Sequence, residues 1–290
     1  MDIYTQTVKL VLIMIILCLY LYLPSMILSR QLVNLGELPL LLHISICLAL
    51  TIISVTNFAL LLLALEGFSL ILYILTTMDR TLGGIIAAVK YFSFGTLGSV
   101  FLFWGAVHFY ALVPSLSYNI MYFLLDYSNT YNSIPLGGSL SFASNLMLLG
   151  LLVKLGAAPL HQWVPDVYAG SHMLITAYFA TAVKFLIFMI FCRLAYHCNI
   201  GSTVEIFASL SLIIGSILTL RQLEIKRFLA YSSITHVGFL LIGDLSASFI
   251  YILTYICSSL LFFSILLSAR QCGHELVYIS DLRFVKQGGL

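Results

Sequence analysis

Residues 145–168 read NLMLLGLLVKLGAAPLHQWVPDVY, part of an apolar run that is long enough to cross a membrane but is interrupted twice. Lys154 places an amine within the run, where a charge at mid-bilayer costs about 2.5–3.5 kcal/mol on insertion scales. Pro159 lacks an N–H and clashes with the Leu155 carbonyl, so the helix should kink or break there. Broken helices survive at membrane depth only where they line protein or water, which favours a transport pathway. A proline that simply ends a helix near the surface is the plainer alternative.

The whole chain has the composition of a membrane protein. Of its 290 residues, 61% are apolar and only 8% are charged, with 13 Lys and Arg against 11 Asp and Glu. Soluble domains are about 45–50% apolar and about 25% charged, and the mean hydropathy of this chain is +1.09. Soluble enzymes, nucleic-acid binders and disordered tails are therefore excluded, and the lipid bilayer is the expected solvent.

Nine apolar segments predict nine membrane-spanning helices, because a span needs about 20 mostly apolar residues. The run over 38–77 is too long for one helix and is divided at residues 54–57, whose hydroxyl and amide side chains suit helix caps. Continuous apolar runs lack the alternation of a membrane barrel, so the fold class is all-α, a polytopic transmembrane helix bundle with a broken helix near Pro159. The predicted spans are 8–28, 38–55, 57–77, 84–112, 142–165, 174–195, 203–220, 228–243 and 247–269.

The charges of the loops orient the predicted bundle. Eight cations fall on the side away from the N-terminus, against Lys9 and Arg193 on the N-terminal side. Cytoplasmic or matrix loops carry an excess of Lys and Arg. We therefore expect the side with the eight cations, which includes the C-terminal tail, to face the cytoplasm or matrix. The loop over 113–141, rich in Tyr, Asn and Ser, is expected to be interfacial or capping structure without assigned chemistry. The eight cations are Arg30, Arg80, Arg221, Lys226, Arg227, Arg270, Arg283 and Lys286.

Neither the cysteines nor the N-terminus carries a recognisable motif. No CxxC occurs, so haem attachment, zinc binding and Fe–S ligation have no support, and the cysteines are predicted to be small apolar core residues. Asp2 and Lys9 precede the first apolar run, which lacks the Arg-rich character of a transit peptide and is expected to be a retained helix. The six cysteines are Cys18, Cys47, Cys192, Cys198, Cys257 and Cys272.

Five ionisable residues inside predicted spans stand out by their depth. Glu66, Lys154 and Lys184 are near the middle of their helices, as is His236, and Lys90 lies one to two turns inside its own. Three central formal charges facing lipid would cost roughly 7–10 kcal/mol. They are therefore expected to face each other, a partner subunit or water.

Helical spacing places hydroxyl groups beside these charges. Glu66, Ser69, Tyr73 and Thr77 share one face at i, i+3, i+7 and i+11, and such stripes can order the water chains that proton conduction requires. Burial favours the neutral form of a lysine and a nearby carboxylate favours the charged form, so a Glu–Lys contact that opens and closes would switch proton affinity. A static ion pair that fixes helix packing and, for His236, a satisfied structural histidine are the alternatives.

The segment from Lys154 to Tyr168 resembles a signature of the NADH dehydrogenase subunit 2 family, antiporter-like membrane subunits of respiratory complex I. Lys184 stands where the family has its next lysine. The Asp-Val-Tyr sequence at 166–168 favours subunit 2 over its paralogues. The four motifs that carry the resemblance, over about residues 57–240, are Leu65–Leu70 with Tyr73, Lys90–Phe92, Lys154–Tyr168 and Arg221–Gly238.

The resemblance implies a proton-translocating membrane-arm subunit of NADH:ubiquinone oxidoreductase. Glu66 and Lys154 would be the pair that opens and closes, Lys184 the next proton carrier, and Lys90 and His236 supporting or bridging groups. The chain would hold no metal or cofactor, and NADH, FMN, Fe–S clusters and ubiquinone would bind to other subunits. The expected organisation is a single membrane domain over 1–290 with N-terminal helices at 1–56, proton-channel helices at 57–243, and a last helix and tail at 244–290.

The sequence departs from the family pattern in two places. After Tyr168 the family has Glu-Gly-x-Pro, whereas residues 169–172 read AGSH here; the second proline is missing and His172 is a candidate added surface titrator. The family fold also continues beyond Asp281 with further spanning helices, one of which carries a lysine. We therefore expect other complex I membrane subunits as partners, including a separate chain that supplies these helices.

Two other functions stay open, a subunit of a multi-subunit cation/proton antiporter and a structural membrane-arm subunit that does not pump. The central charges argue against the structural subunit and the absent C-terminal lysine argues for it, while a receptor-like bundle would explain neither the lysines nor the broken helix.

The 20 Phe and 17 Tyr residues, the hydrophobicity and the lack of a transit peptide suit an organelle-encoded protein of the mitochondrial inner membrane. Its N-terminus would face the intermembrane space and its tail the matrix; a bacterial plasma membrane or a thylakoid is the alternative.

Overall fold

The computed structural model describes residues 3–21, 37–78, 80–130, 137–196, 202–271 and 277–281. These residues form a bundle of helices without a β-strand, which confirms the all-α prediction. Beyond α12 a short 3₁₀ turn spans Ile279–Asp281. The helices in chain order are α1 (Ile3–Tyr20), α2 (Glu37–Ser54), α3 (Phe58–Thr76), α4 (Leu82–Leu112), α5 (Tyr118–Thr130), α6 (Gly137–Leu155), α7 (Trp163–Gly170), α8 (Met173–Tyr178), a π-helical segment (Phe179–Val183), α9 (Lys184–Ala195), α10 (Ser202–Leu220), α11 (Ile225–Ile242) and α12 (Leu245–Gln271).

Seven segments of the described residues are long and apolar enough to cross a membrane, against nine predicted. The other two predicted spans correspond to α1, whose apolar part is shorter, and to α11; both stay predictions. The end of the first predicted span, beyond residue 21, lies outside the described residues. The seven are Glu37–Ser54, Phe58–Thr76, Leu82–Leu112, Gly138–Leu155, Met173–Ala195, Thr203–Leu220 and Leu245–Ser268.

The predicted division of the long apolar run at 54–57 is confirmed. Helix α2 ends at Ser54, and the side chain of Asn57 caps α3 by accepting a hydrogen bond from the Ala59 amide at 3.0 Å. Because the first amides of a helix have no partner within it, this carboxamide oxygen defines where α3 begins.

Part of the predicted loop over 113–141 is the helix α5. Two backbone hydrogen bonds tie its start to the α2–α3 junction, from Phe58 to the Leu116 carbonyl at 2.8 Å and from Tyr118 to the Thr56 carbonyl at 3.0 Å. Tyr118, Met121 and Leu125 are buried at i, i+3 and i+7, so one face of α5 packs on the bundle. The polar residues between them obscured this helical spacing in the sequence.

The span from α8 to α9 runs through the centre of the bundle. Every residue from Met173 to Cys192 is buried, whereas the other spans each turn one apolar face outward.

Three of the cysteines, Cys18, Cys47 and Cys257, are on these outer faces, and Cys192 is buried. The prediction that the cysteines are core residues is therefore wrong for those three, because the outer surface of a membrane bundle accepts small apolar residues as well as its core does; Cys198 and Cys272 lie outside the described residues.

The helix break predicted at Pro159 is present. Helix α6 ends at Leu155, Gly156 has a φ of +77°, and α7 starts at Trp163. The left-handed conformation suits glycine, which has no Cβ. The indole Nε1 of Trp163 donates to the Val153 carbonyl at 3.1 Å, which satisfies one of the acceptors that the end of α6 leaves open.

The break lies at mid-depth in the bundle, because α6 and α7 together follow the whole length of α4. The ring of Phe142 near the start of α6 contacts His108 near the end of α4. At the opposite end a Cβ on Gly84 would lie 3.4 Å from the carbonyl of Gly170, the last residue of α7. This placement disfavours the alternative of a proline that ends a helix at the surface.

Candidate functional site

Glu66 of α3 and Lys154 of α6 form an ion pair inside the bundle. The Lys154 Nζ donates to Glu66 Oε1 at 3.3 Å. The lysine side chain is 7% exposed and the glutamate 33%, so the amine is enclosed while the carboxylate reaches the surface of the chain. The predicted contact between these two residues is therefore present in the structure.

The break after Leu155 holds Lys154 in the last turn of α6. The carbonyl end of a helix carries a partial negative charge, which stabilises a nearby cation. Helix α4 approaches Lys154 closely, because a Cβ on Gly98 would lie 3.2 Å from Lys154 Cγ, and one on Gly150 would lie 2.6 Å from the Gly98 carbonyl. Small residues thus let the α4 backbone close over the lysine.

Lys184 begins α9 directly after the π-helical segment and is fully enclosed in the central span. Its Nζ donates to the Ser233 carbonyl of α11 at 3.1 Å and lies 5.5 Å from the centroid of the Tyr255 ring. Among the described residues it has no carboxylate partner within salt-bridge distance, since the ion pairs found there involve other cations. Single π-helical turns occur frequently at functional sites.

The two lysines line one small cavity between α6, α7 and the central span. Its volume is about 10 Å³, close to what one water molecule requires. Trp163 and Ile187 separate it from a second cavity of the same size on the Glu66 side of Lys154, and both residues line each of the two. The structure therefore brings Lys154 and Lys184 together around a space that admits a single water.

His236 of α11 contacts the same Tyr255 ring as Lys184. Its Nδ1 is 2.7 Å from the Tyr251 hydroxyl, and its ring centroid is 4.9 Å from that of Tyr255. Glu66, Lys154, Lys184 and His236, joined by contacts and one cavity, form what we call the polar line.

Lys90 is not brought to the polar line. It pairs with Asp166 of α7 at 2.6 Å on the outer face of the chain, where the two side chains are 48% and 35% exposed. Asp166 lies in the motif that identified the family but was given no role from sequence, because nothing along the chain shows which face of α7 meets α4. The supporting role of Lys90 stays a prediction.

Two histidines near the break are buried. His172, expected to titrate at the surface, is 2% exposed and caps α8, its Nδ1 accepting from the Leu174 amide at 3.3 Å. The surface prediction is wrong because the turn after α7 folds this residue inward onto the central span. His161, between Pro159 and α7, is also buried and lies 3.2 Å from the Pro159 carbonyl.

Tyr255 was missed from the sequence although it contacts both Lys184 and His236. It lies on α12, 19 residues beyond His236 and far from any charged residue in the chain, so no local pattern marks it. No three His, Cys, Asp or Glu side chains come together as a metal site within the described ranges.

Comparison with known proteins agrees with this geometry. A family model described as NADH:quinone oxidoreductase/Mrp antiporter, TM, matches residues 55–286. The NADH-quinone oxidoreductase subunit N of Gluconacetobacter diazotrophicus is 35% identical over 263 residues, which are 85% of this chain and 54% of the relative. That of Hydrogenovibrio crunogenus is 30% identical over 97% of this chain and 61% of its own length. The chain thus spans little more than half the length of these relatives.

Solved structures show the same fold. A chain of respiratory complex I from Thermus thermophilus superposes with a TM-score of 0.67 at 29% identity, covering 91% of this chain and 64% of that one. A chain of the Mrp complex from Dietzia has a TM-score of 0.79 at 16% identity, covering 93% and 51%. With a family match over most of its length, a broken helix at mid-depth and a buried Glu–Lys pair beside it, this chain belongs to the NADH:quinone oxidoreductase/Mrp antiporter transmembrane family.

Proposed function

We propose that the chain is a proton-translocating membrane-arm subunit of an NADH:ubiquinone oxidoreductase, respiratory complex I. The observation that carries the proposal is the polar line, which arranges a carboxylate, two amines and an imidazole in series across an apolar bundle, joined by an ion pair, one small cavity and the Tyr255 ring. The names of the relatives, subunits of NADH-quinone oxidoreductase, support the same complex. Other subunits would hold NADH, FMN, Fe–S clusters and ubiquinone.

The Glu66–Lys154 pair is the switch in this proposal. Separating the carboxylate from the ammonium leaves an unpaired charge in low-dielectric surroundings, which is costly. Lys154 then gives up a proton across the small cavity: an N–H bond breaks at its Nζ while one forms at the Nζ of Lys184, which accepts the proton as a neutral amine. His236, which packs against the same Tyr255 ring as Lys184, is the next proton-carrying group along the line. Lys90 with Asp166 supports α7 from outside.

Replacing Lys154 tests the proposal. Lys154→Ala in the assembled complex is expected to lower proton translocation, with NADH oxidation measured separately in the same membranes. Lys9→Ala, which removes a lysine from α1 outside the polar line, is the matched control and should change neither activity. An assembled Lys154→Ala complex with both activities intact would reject a proton-carrying role and leave a static ion pair that fixes helix packing.

A cation/proton antiporter subunit is the second candidate. The fold similarity to a chain of the Mrp complex supports it, and the matching family includes both kinds of complex. Measuring whether vesicles with the native complex oxidise NADH or instead exchange sodium for protons separates the two. A structural subunit that does not pump is the third, and it predicts that Lys154→Ala affects assembly alone.

The compartment and the partners are part of the proposal. The hydrophobic composition with its 20 Phe and 17 Tyr supports the mitochondrial inner membrane, with the N-terminus toward the intermembrane space; fractionation of the source cells tests this against a bacterial membrane.

We also propose that another chain supplies further family helices beside α12. Outward apolar residues of α12 such as Ile250 and Leu261 support it. Cross-linking from Leu261→Cys in the native complex, followed by identification of the captured polypeptide, tests it.

A further inference from the structure

Tyr73 presents a buried hydroxyl group that makes no hydrogen bond of good geometry among the described residues, although the Ser69 hydroxyl on the same helix is near enough to interact with it. It lies on α3 two turns beyond Glu66, and its ring packs edge-on against Tyr91 and Phe92 of α4 at centroid distances of 4.9 and 5.4 Å. Leaving such a group unsatisfied destabilises the fold. The tight packing of the ring fixes where the hydroxyl points.

The residues around Tyr73 enclose a cavity of about 10 Å³. Ser69 and Lys154 line it with Tyr73, and the rest of the wall is mostly apolar and includes Trp163. A cavity of about 10–15 Å³ accepts one water, which needs two to four polar partners. The two hydroxyls and the amine meet that requirement.

Gly95 of α4 leaves room for the Tyr73 hydroxyl. A Cβ at this position would overlap the hydroxyl oxygen and lie 3.2 Å from the ring carbon that bears it. Any residue larger than glycine would therefore displace the ring or the hydroxyl from the cavity. The close approach is a second observation, independent of the cavity, that ties this hydroxyl to one position.

We propose that a single water molecule binds between Tyr73, Ser69 and Lys154, and that Tyr73 is a positioning residue for proton transfer at Lys154. The inference rests on the proposed function. After Lys154 has passed its proton to Lys184, the water reloads the neutral amine: an O–H bond of the water breaks as an N–H bond forms at Nζ. The water takes a replacement proton from the carboxyl group of Glu66, whose side chain lies beside Lys154 and reaches the surface of the chain, so the Glu66 carboxylate and the Lys154 ammonium are formed again. Tyr73 holds the water without itself gaining or losing a proton.

Tyr73→Phe tests the proposal because it removes the hydroxyl oxygen and keeps the ring. In the assembled complex we expect unchanged assembly and proton translocation lowered about tenfold, since misplacing a reacting group costs up to about 10²-fold. The matched control is Tyr118→Phe, which removes another buried hydroxyl without a partner, on α5 against Phe58; it should leave translocation unchanged. Gly95→Ala, which pushes on the hydroxyl, should reproduce the defect.

The outcomes separate this inference from the proposed function. If Lys154→Ala stops translocation while Tyr73→Phe matches the Tyr118→Phe control, the positioning role is overturned and the proposed function stands. If Lys154→Ala has no effect, the proposed function fails and takes the positioning role with it. A structure of the native complex at a resolution that shows buried waters judges the site directly: water within hydrogen-bonding distance of Tyr73 Oη supports it, and its absence overturns it.

Discussion

The two lysines of the polar line make different contacts at their amine groups. Lys154 has a carboxylate partner, whereas Lys184 has a carbonyl oxygen and the face of an aromatic ring. A carbonyl and a ring stabilise an ammonium less than a carboxylate does, because they carry partial charges only. The two lysines therefore lie in unequal electrostatic surroundings, and in the proposed mechanism this difference gives the polar line a direction that movement of Glu66 would change.

The first prediction concerns the coupling between Glu66 and Lys154. Glu66→Gln and Lys154→Met are each expected to destabilise the complex, because each leaves one charge of the pair without its partner. The double variant should recover part of the loss, with a coupling free energy of about 0.5–3 kcal/mol. Thermal unfolding of the four purified complexes measures this cycle.

A strictly additive double variant would contradict the first prediction and show that the 3.3 Å contact contributes no interaction energy. Glu66 is a third exposed, so the lower part of that range is expected in the isolated subunit, where solvent or lipid headgroups reach the carboxylate. Burial of Glu66 by a neighbouring subunit would move the value upward.

The residues of the polar line could be predicted because a charge in an apolar helix is expensive and visible in the sequence. Glu66, Lys154, Lys184 and His236 all stood out for that reason. What touches them could not be predicted, since Tyr255 and the Ser233 carbonyl reach Lys184 only through the packing of α11 and α12. The outward position of Lys90 and the inward position of His172 depend on helix rotations that one sequence does not reveal.

At the scale of the elements, the broken helix decides where the amine of Lys154 sits. Helix α6 stops one residue after this lysine, and Gly156 turns the chain with a positive φ. Two of the last four carbonyls of α6 accept hydrogen bonds here: that of Val153 from the Trp163 indole and the Gly156 amide, and that of Leu152 from the Ala157 amide. The break is thus a turn with hydrogen bonds of its own.

The second prediction is that Gly156→Ala destabilises the subunit. A side chain in the left-handed region costs about 1–2 kcal/mol, and the added Cβ would also overlap Val164 Cγ2. Gly138→Ala is the matched control, because a Cβ on this residue of α6 meets nothing within 4 Å and alanine favours a helix by about 1 kcal/mol over glycine. Unfolding temperatures of the assembled variants should fall for Gly156→Ala and stay level or rise for Gly138→Ala.

Equal thermal stability of these two variants would show that the turn at Gly156 is not under conformational constraint.

The sequence predicted the broken helix well, because proline has a strong local effect on a helix. It did not predict α5 or the π-helical segment before Lys184. Polar residues mask the helical spacing of α5, and the extra backbone residue that makes a π-turn arises from packing in the central span.

At the scale of the molecule, the bundle has two distinct ends. At one end Arg193 donates to the Val55 carbonyl at 3.1 Å and lies over the Tyr118 ring, and at the other Lys226 donates to the Ser171 carbonyl at 2.6 Å. Described cations such as Arg80, Arg221 and Arg227 belong to the second end. Helix order and loop charge thus describe the same polarity, although Arg30, Arg283 and Lys286 lie outside the described residues.

The third prediction is the orientation that follows from this polarity. Gln6 and Ser280 are exposed and lie near opposite ends of the chain. In the proposed orientation, a cysteine added by Gln6→Cys should react with an impermeant maleimide from the intermembrane-space side, and one added by Ser280→Cys from the matrix side. Labelling in right-side-out and inverted inner-membrane vesicles, with the parent protein as control for its own cysteines, measures both. Reaction of the two positions from the same side would require an odd change in the number of spans, and exchange of the sides would reverse the topology.

The central claim is that protons pass along the polar line, and Lys184 tests it most directly because this lysine has no carboxylate partner among the described residues. Replacing this buried amine, which has no ion-pair partner there, with methionine is expected to leave stability level or raise it, so loss of function would not reflect loss of folding. The decisive measurement is the number of protons translocated per NADH oxidised by the assembled Lys184→Met complex in sealed vesicles. The account predicts a lower ratio, or a slower NADH oxidation if the enzyme stays tightly coupled, at an unchanged unfolding temperature; an unchanged ratio at an unchanged rate would contradict it.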